Sequence, residues 1–345
     1  MKKLKQLLRD VRIALGKLIL DSNKAVLDTA KLQPIKSILF LRQDGKIGDY
    51  IVSSFVFREL KKQNPNIKIG VVCSDKSLFE KNPNIDILYP VRKKNILDYI
   101  KTGIQLRRER YDVLIDPTVF LRNRDLLLIR LINAKVNIGY LKADYRMFNL
   151  SIDNQQLHFA EVYQTALEAL GFHSLDLTYD VPQDKQSAVE ITEFLQQHGL
   201  ENYIAINFFG APRSRRFNEE NIRLMLQDLR SKITDKPFVL LTYPAVTELL
   251  KKVSSMDKNI YLYENTKNIF QSIELIRAAD LVISPDTSIV HIASGLNKKM
   301  IVFYHQHDLG LANWGPRSNN TVYLLCYQQN INEIEPSRIQ KEWLS

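Results

Sequence analysis

The 345-residue chain carries 48 Lys and Arg against 38 Asp and Glu, a formal net charge of +10, with 45% hydrophobic and 25% charged residues. That length allows two domains of ordinary size, and the composition excludes a disordered or low-complexity chain. No apolar run approaches the roughly 20 residues of a membrane-spanning helix, while the positive balance asks for an anionic partner without choosing among nucleic acid, an anionic membrane and a phosphorylated substrate.

Residues 1 to 31 read as one basic amphipathic helix. Leu4, Leu7, Leu8, Val11, Leu15, Leu18 and Ile19 recur at helical spacing, and Lys2, Lys3, Lys5, Arg9, Arg12 and Lys17 fill the other positions. Charges interleaved with these apolar positions read unlike a secretory signal. Such a helix either lies on an anionic membrane or packs on the domain with its polar face solvated.

From Ile35 strands and helices alternate. Strands are expected at 38–41, 67–73, 87–89, 112–115 and 136–139, with helices near 50–63, 77–81, 96–109, 122–132 and 158–170. After an irregular stretch at 174–183 and a helix at 188–198, a second series has strands at 203–207, 237–242, 260–262, 281–283 and 300–304. Helices of this length between strands imply βαβ units and parallel sheets. The predicted fold is α/β, two Rossmann-like domains with parallel sheets facing a central cleft. The expected division is a helix over 1–34, a first domain over 35–180 and a second over 181–345, its last helix a candidate to pack back on the first. Cys73 and Cys326 fall in expected strands without metal-ligand spacing, as reduced core residues of a cytoplasmic protein would.

Three stretches carry candidate chemistry. The loop Gly45-Lys46-Ile47-Gly48 leads to Asp49 at a helix start. Glycines let a ligand approach the backbone, and a helix start favours the carboxylate that a proton acceptor needs. The spacing is neither G-x-G-x-x-G nor a P-loop, and a plain helix cap is the alternative role for Asp49. Arg213, Arg215 and Arg216 follow a strand and precede a helix, where guanidinium groups can pair with phosphate oxygens. In the third stretch Pro285 and Asp286 are expected to stop a buried strand, and Thr287 or Ser288 to cap a short helix ending at Gly295. His291, one turn past Thr287, shares its face. A helix start at the C-terminal edge of a parallel sheet attracts anions. His305 and His307 lack the partners of a metal site.

Taken together these stretches resemble glycosyltransferase family 9, the ADP-heptose:lipopolysaccharide heptosyltransferases, over roughly residues 36 to 326. Lys46-Ile47-Gly48-Asp49 is similar to the family's N-terminal hallmark, and Arg215-Arg216-Phe217 to its basic pair before an aromatic residue. Asp286-Thr287-Ser288-Ile289-Val290-His291 with Ala293 and Gly295 is similar to its strongest motif, and His158-Phe159-Ala160-Glu161 to a further segment. The resemblance implies a GT-B fold with an acceptor domain followed by a donor domain. It implies inverting transfer of a heptose from ADP-heptose to a lipopolysaccharide core (lipid A-Kdo type) acceptor, without metal or other cofactor. Asp49 would be the general base, Gly45, Lys46 and Gly48 the acceptor loop, and Arg215, Asp286, Thr287, Ser288 and His291 the donor site. The implied partners are a nucleotide-sugar donor and a phosphorylated glycolipid, with no nucleic acid; the basic N-terminal helix, an addition to the usual family start, would meet an anionic membrane surface at the inner face of the cytoplasmic membrane.

The departures are an Arg at 215 for the usual Lys, Ser288 for the commoner Gly, and Phe303-Tyr304-His305-Gln306-His307 in place of Phe-Gly-Pro, with Trp314-Gly315-Pro316 further on. Another nucleotide sugar or a protein acceptor is the alternative on the same fold. A nucleic-acid-binding protein is the remote one, suggested by charge alone.

Overall fold

The computed structural model describes residues 2–24, 34–306 and 309–345. It divides into two compact units: the described residues up to Lys46 with Ser53–Leu177, and Ile47–Val52 with Thr178–Ser345.

The first unit holds α1 (Lys2–Leu20), β1 (Ser37–Arg42), α2 (Ile47–Gln63, whose first residues group with the second unit), β2 (Lys68–Cys73), β3 (Ile87–Pro90), α3 (Ile96–Glu109), β4 (Val113–Asp116), α4 (Asn123–Ile132), β5 (Val136–Tyr140), β6 (Leu150–Ile152) and α5 (Phe159–Glu168). Its parallel sheet runs β3-β2-β1-β4-β5-β6. Strands covered on both faces must be largely apolar, as Ile38-Leu39-Phe40-Leu41 in β1 is, and all six residues of that strand are buried. Helix starts are set by side chains. Asn95 accepts from the amides of Leu97 and Asp98 to open α3, and His158 Nδ1 accepts from Ala160 N at 3.1 Å to open α5. His158 is therefore a helix cap, its own amide donating to Glu161 Oε2 at 3.1 Å.

The second unit repeats the plan with α6 (Lys185–His198), β7 (Ile204–Ile206), α7 (Glu219–Lys232), β8 (Phe238–Leu240), α8 (Thr247–Ser254), β9 (Ile260–Leu262), α9 (Ile269–Ala278), β10 (Leu281–Pro285), α10 (Ser288–Gly295), β11 (Lys299–His305), α11 (Gly310–Trp314) and β12 (Val322–Tyr327). Its sheet order β12-β11-β10-β7-β8-β9 is the same doubly wound arrangement. In both sheets the chain reverses direction of growth at one point, between β1 and β4 and between β7 and β10, where ligands of such folds bind.

Several expectations are corrected. The N-terminal helix ends at Leu20 and residues 21–24 are irregular, so its predicted extension to 31 is shortened, and 25–33 lie outside the described residues. The expected helix at 77–81 is a 3-10 turn at Phe79–Lys81. Each sheet has six strands: β6 is an addition, and β12 is the strand expected around Cys326. Pro285 does not stop its strand but pairs with Phe303 as its last residue. The C-terminal segment is three 3-10 turns rather than a helix. Its Ile331, Ile334, Ile339 and Leu344 sink into the core of the second unit. Among the described residues no helix is long and apolar enough to cross a membrane.

Candidate active site

The turn from β10 into α10 is built by a buried hydroxyl, Ser284, and a half-buried one, Thr287. Thr287 is the N-cap, its Oγ1 accepting from Ile289 N at 3.2 Å. Asn207, just past β7, donates from Nδ2 to Ser284 Oγ at 3.0 Å and to Thr287 Oγ1 at 3.3 Å, while its Oδ1 accepts from Phe209 N at 3.1 Å. Ser284 and Thr287 hydroxyls lie 3.2 Å apart. The reversal point between β7 and β10 is thus cross-linked by one amide side chain. The Thr287 hydroxyl is used inside the protein, so what this residue offers an anion is its place at the start of a helix.

Arg215 is delivered to the same turn by a folded-back loop. Phe217 N donates to Phe208 O at 3.1 Å, Gly210 N to Arg215 O at 2.7 Å, and Arg216 Nε to Gly210 O at 2.8 Å. A Cβ on Gly210 would stand 2.6 Å from Arg215 Cβ, so the closure depends on glycine. Arg215 Nη1 meets Asp286 Oδ2 at 2.5 Å and Asp286 O at 3.3 Å. Arg213 and Arg216 are exposed on this loop, and of the three predicted arginines it is Arg215 that joins the motif at 286–288.

His291, on α10, is buried. Its ring lies 5.9 Å from that of Trp314, whose carbonyl accepts from the buried Tyr304 hydroxyl at 3.0 Å. The Tyr304 phenol is pushed far above its ordinary pKa by burial first and then by Asp286, which keeps it a neutral donor. Trp314 therefore stands beside the motif that the missing Phe-Gly-Pro would have flanked. Ile47–Val52 group with this unit, and a Cβ on Gly48 would stand 2.9 Å from His291 Cδ2 and 3.6 Å from Ser288 Cα. Glycine at 48 lets the first turn of α2 close on α10, and Asp49 is the next residue. Helix α2 opens at Ile47, three residues before the expected start, with Lys46 as its N-cap, so Asp49 sits inside the first turn and is not the cap residue.

In the first unit, Gly45 has φ +62°, and a Cβ there would lie 2.6 Å from Ser74 Oγ. Lys93 Nζ donates to Asp44 O at 2.6 Å and braces this turn; Lys46 is exposed. Arg42, buried at the end of β1, donates from Nη1 to Ser53 Oγ at 2.9 Å and Tyr163 Oη at 2.7 Å, and its Nε meets Asp44 Oδ1 at 3.4 Å. Asn207 and Arg42 were not among the predicted site residues. The signal was present in each case: a polar residue closing an otherwise apolar buried strand.

A family model described as glycosyltransferase family 9 (heptosyltransferase) matches residues 99–343, well over half of the chain. A protein of Escherichia coli (strain K12) with the provisional name lipopolysaccharide heptosyltransferase 4 is 22% identical over 331 residues, covering 91% of this chain and 87% of its own. The crystal structure of a glycosyltransferase family 9 protein from Veillonella parvula superposes with a TM-score of 0.74 at 19% identity, covering 94% of this chain and 99% of that one. E. coli ADP-heptose lipopolysaccharide heptosyltransferase II follows with a TM-score of 0.70 at 16% identity, covering 89% and 97%. The two-sheet α/β fold is that of these heptosyltransferases, of GT-B type. The chain belongs to glycosyltransferase family 9, the heptosyltransferases, and is a glycosyltransferase.

Proposed function

We propose that the enzyme transfers a heptose from ADP-heptose, with inversion, to a hydroxyl of a phosphorylated glycolipid of the lipopolysaccharide core. The observation that carries this reading is Arg215 paired with Asp286 at the hydroxyl-braced start of α10. Residues 181–345 would bind the donor and 35–180 the acceptor. The donor diphosphate would lie against Arg215 and the backbone of Thr287 and Ser288, with His291 and Asp286 toward the sugar. The Asp49 carboxylate would take the proton of the acceptor hydroxyl as its oxygen bonds to the anomeric carbon and the bond from that carbon to the diphosphate breaks. ADP leaves with negative charge that Arg215 and the amides opening α10 can stabilise, so turnover should persist in EDTA. Gly45, Lys46 and Gly48 would shape the acceptor loop. The glycolipid would be met at the inner face of the cytoplasmic membrane, with α1 as the contact.

A thermal-shift screen of nucleotide sugars tests the donor. A ligand at about 100 times its Kd stabilises the native state by about 2.7 kcal/mol, so ADP-heptose and ADP should raise the melting temperature by several degrees. A shift with a different nucleotide alone would replace the donor.

A further inference from the structure

Helix α1 is fastened to the first unit by a narrow face. Asn123 Nδ2 donates to Arg12 O at 2.9 Å, and the Asn123 side chain fills the space a Cβ on Gly16 would need. Arg130 Nη1 donates to Ile19 O at 2.7 Å and to Leu20 O at 3.2 Å, and Lys17 Nζ lies 4.6 Å from the Tyr145 ring centre. Just past the helix, Asp21 accepts from Arg146 N at 2.9 Å and Met147 N at 2.8 Å. At about 100° per residue, Gly16, Lys17 and Leu20 form one side of the helix, and Leu8, Val11, Leu15, Leu18 and Ile19 the opposite side. That opposite side faces solvent, with Leu8 61%, Leu15 54% and Leu18 72% exposed. An amphipathic helix normally buries its apolar side; this one presents it.

Direction and charge say what covers it. Arg12 lies beside Asn123 at the start of α4, and Ile19 beside Arg130 one helix length on, so the two helices run parallel. The ten residues before Arg12 therefore extend about 15 Å past the start of α4 at 1.5 Å per residue. They run toward the side where β4 ends and where Val119 and Phe120, in the loop between β4 and α4, are also exposed. Residues 1–24 contain seven Lys and Arg against Asp10 and Asp21, a net +5 that is half of the +10 of the whole chain. A second copy would set two such charges against each other, whereas a bilayer of anionic lipids accepts both the apolar stripe and the flanking cations.

We infer that the first unit docks on an anionic bilayer through the outward face of α1, with Val119 and Phe120 as a second point of entry. Because α1 is fastened at Asn123, Arg130 and Asp21, docking fixes the orientation of the unit, with α1 lying along the lipid surface and its N-terminal end on the side of the C-terminal edge of the sheet, where Val119 and Phe120 lie. Its purpose rests on the glycolipid reading above; its geometry does not.

Co-sedimentation of the full chain tests this with vesicles of phosphatidylcholine alone and of equimolar phosphatidylcholine and phosphatidylglycerol. The wild type should bind the anionic vesicles and be released by salt. L15E/L18E, at exposed positions, should lower the partition coefficient by about tenfold or more and F120S by a few-fold, with Val189→Glu on α6 as an unchanged control. Equal binding to both vesicle types, or wild-type binding by L15E/L18E, would overturn the inference. So would a wild-type dimer in gel filtration that L15E/L18E makes monomeric, because the occupant would then be a second copy. Transfer to a deacylated, soluble acceptor separates the two proposals. It should survive in L15E/L18E, and its absence in a wild type that still binds vesicles would count against the glycolipid reading alone.

Discussion

Replacing Gly48 by alanine sets two effects against each other. Near the start of a helix, alanine is the better former by up to about 1 kcal/mol. The added Cβ, however, would stand 2.9 Å from His291 Cδ2, where carbon atoms prefer about 3.5–4.0 Å. The ring is buried and the α10 backbone is close behind, with Ser288 Cα at 3.6 Å, so neither side yields easily. Overpacking of this kind costs about 1–3 kcal/mol, which outweighs the propensity gain over most of its range. G48A is therefore expected to fold with a melting temperature a few degrees lower, and to lose turnover by about 10²-fold because Asp49 and His291 move by fractions of an ångström. Circular dichroism melts and initial-rate assays with ADP-heptose read both. A raised melting temperature with turnover within about twofold of wild type would show that propensity wins and that the close approach is not there.

The remaining expectations concern other parts of the site and one buried acid. Arg215→Lys keeps the charge but not the planar fork, and calorimetry should show ADP binding weakened by about tenfold, with Arg215→Ala weaker still. Asn207→Ala removes the donor to the buried Ser284 hydroxyl and the half-buried Thr287 hydroxyl and should cost about 1–3 kcal/mol in denaturant unfolding. Glu274, on α9, is buried with Oε1 unpartnered, and desolvation raises its carboxyl pKa, against which Arg277 pulls. The native state then holds a proton that the unfolded state releases, so stability falls as pH rises from the ordinary carboxylate range through the raised value. Glu274→Gln should flatten that slope and stabilise the protein at pH 7; an unchanged slope would place the titration elsewhere.

The sheets were legible because fully buried parallel strands are runs of Ile, Leu, Val and Phe, as in β1, β2 and β10. β6, which was missed, and β12, expected only around Cys326, lack that signature. β6 is only three residues long, with Leu150 and Ser151 half-exposed, and β12 is an edge strand whose Val322, Tyr323 and Leu324 remain partly open. Pro285 misled for a physical reason as well: its missing amide costs little at the last position of a strand. The motif at 286–291 was legible as types and spacing, but the capture of the Thr287 hydroxyl by Asn207 joins residues 80 apart, which no local pattern carries. For α1 the periodicity gave the apolar stripe but not its direction, because the packed side is set by a glycine and three carbonyls that hydropathy does not register.

Heptose transfer from ADP-heptose to a lipid A-Kdo acceptor, followed by mass spectrometry in wild type and Asp49→Ala alongside calorimetric ADP binding, tests the proposed reaction most directly. The wild type should form product, and the variant should bind ADP within about twofold of wild type while losing turnover by about 10²-fold or more. Near-normal turnover in Asp49→Ala would end its assignment as the base, and no product from the wild type would end that of the donor and acceptor.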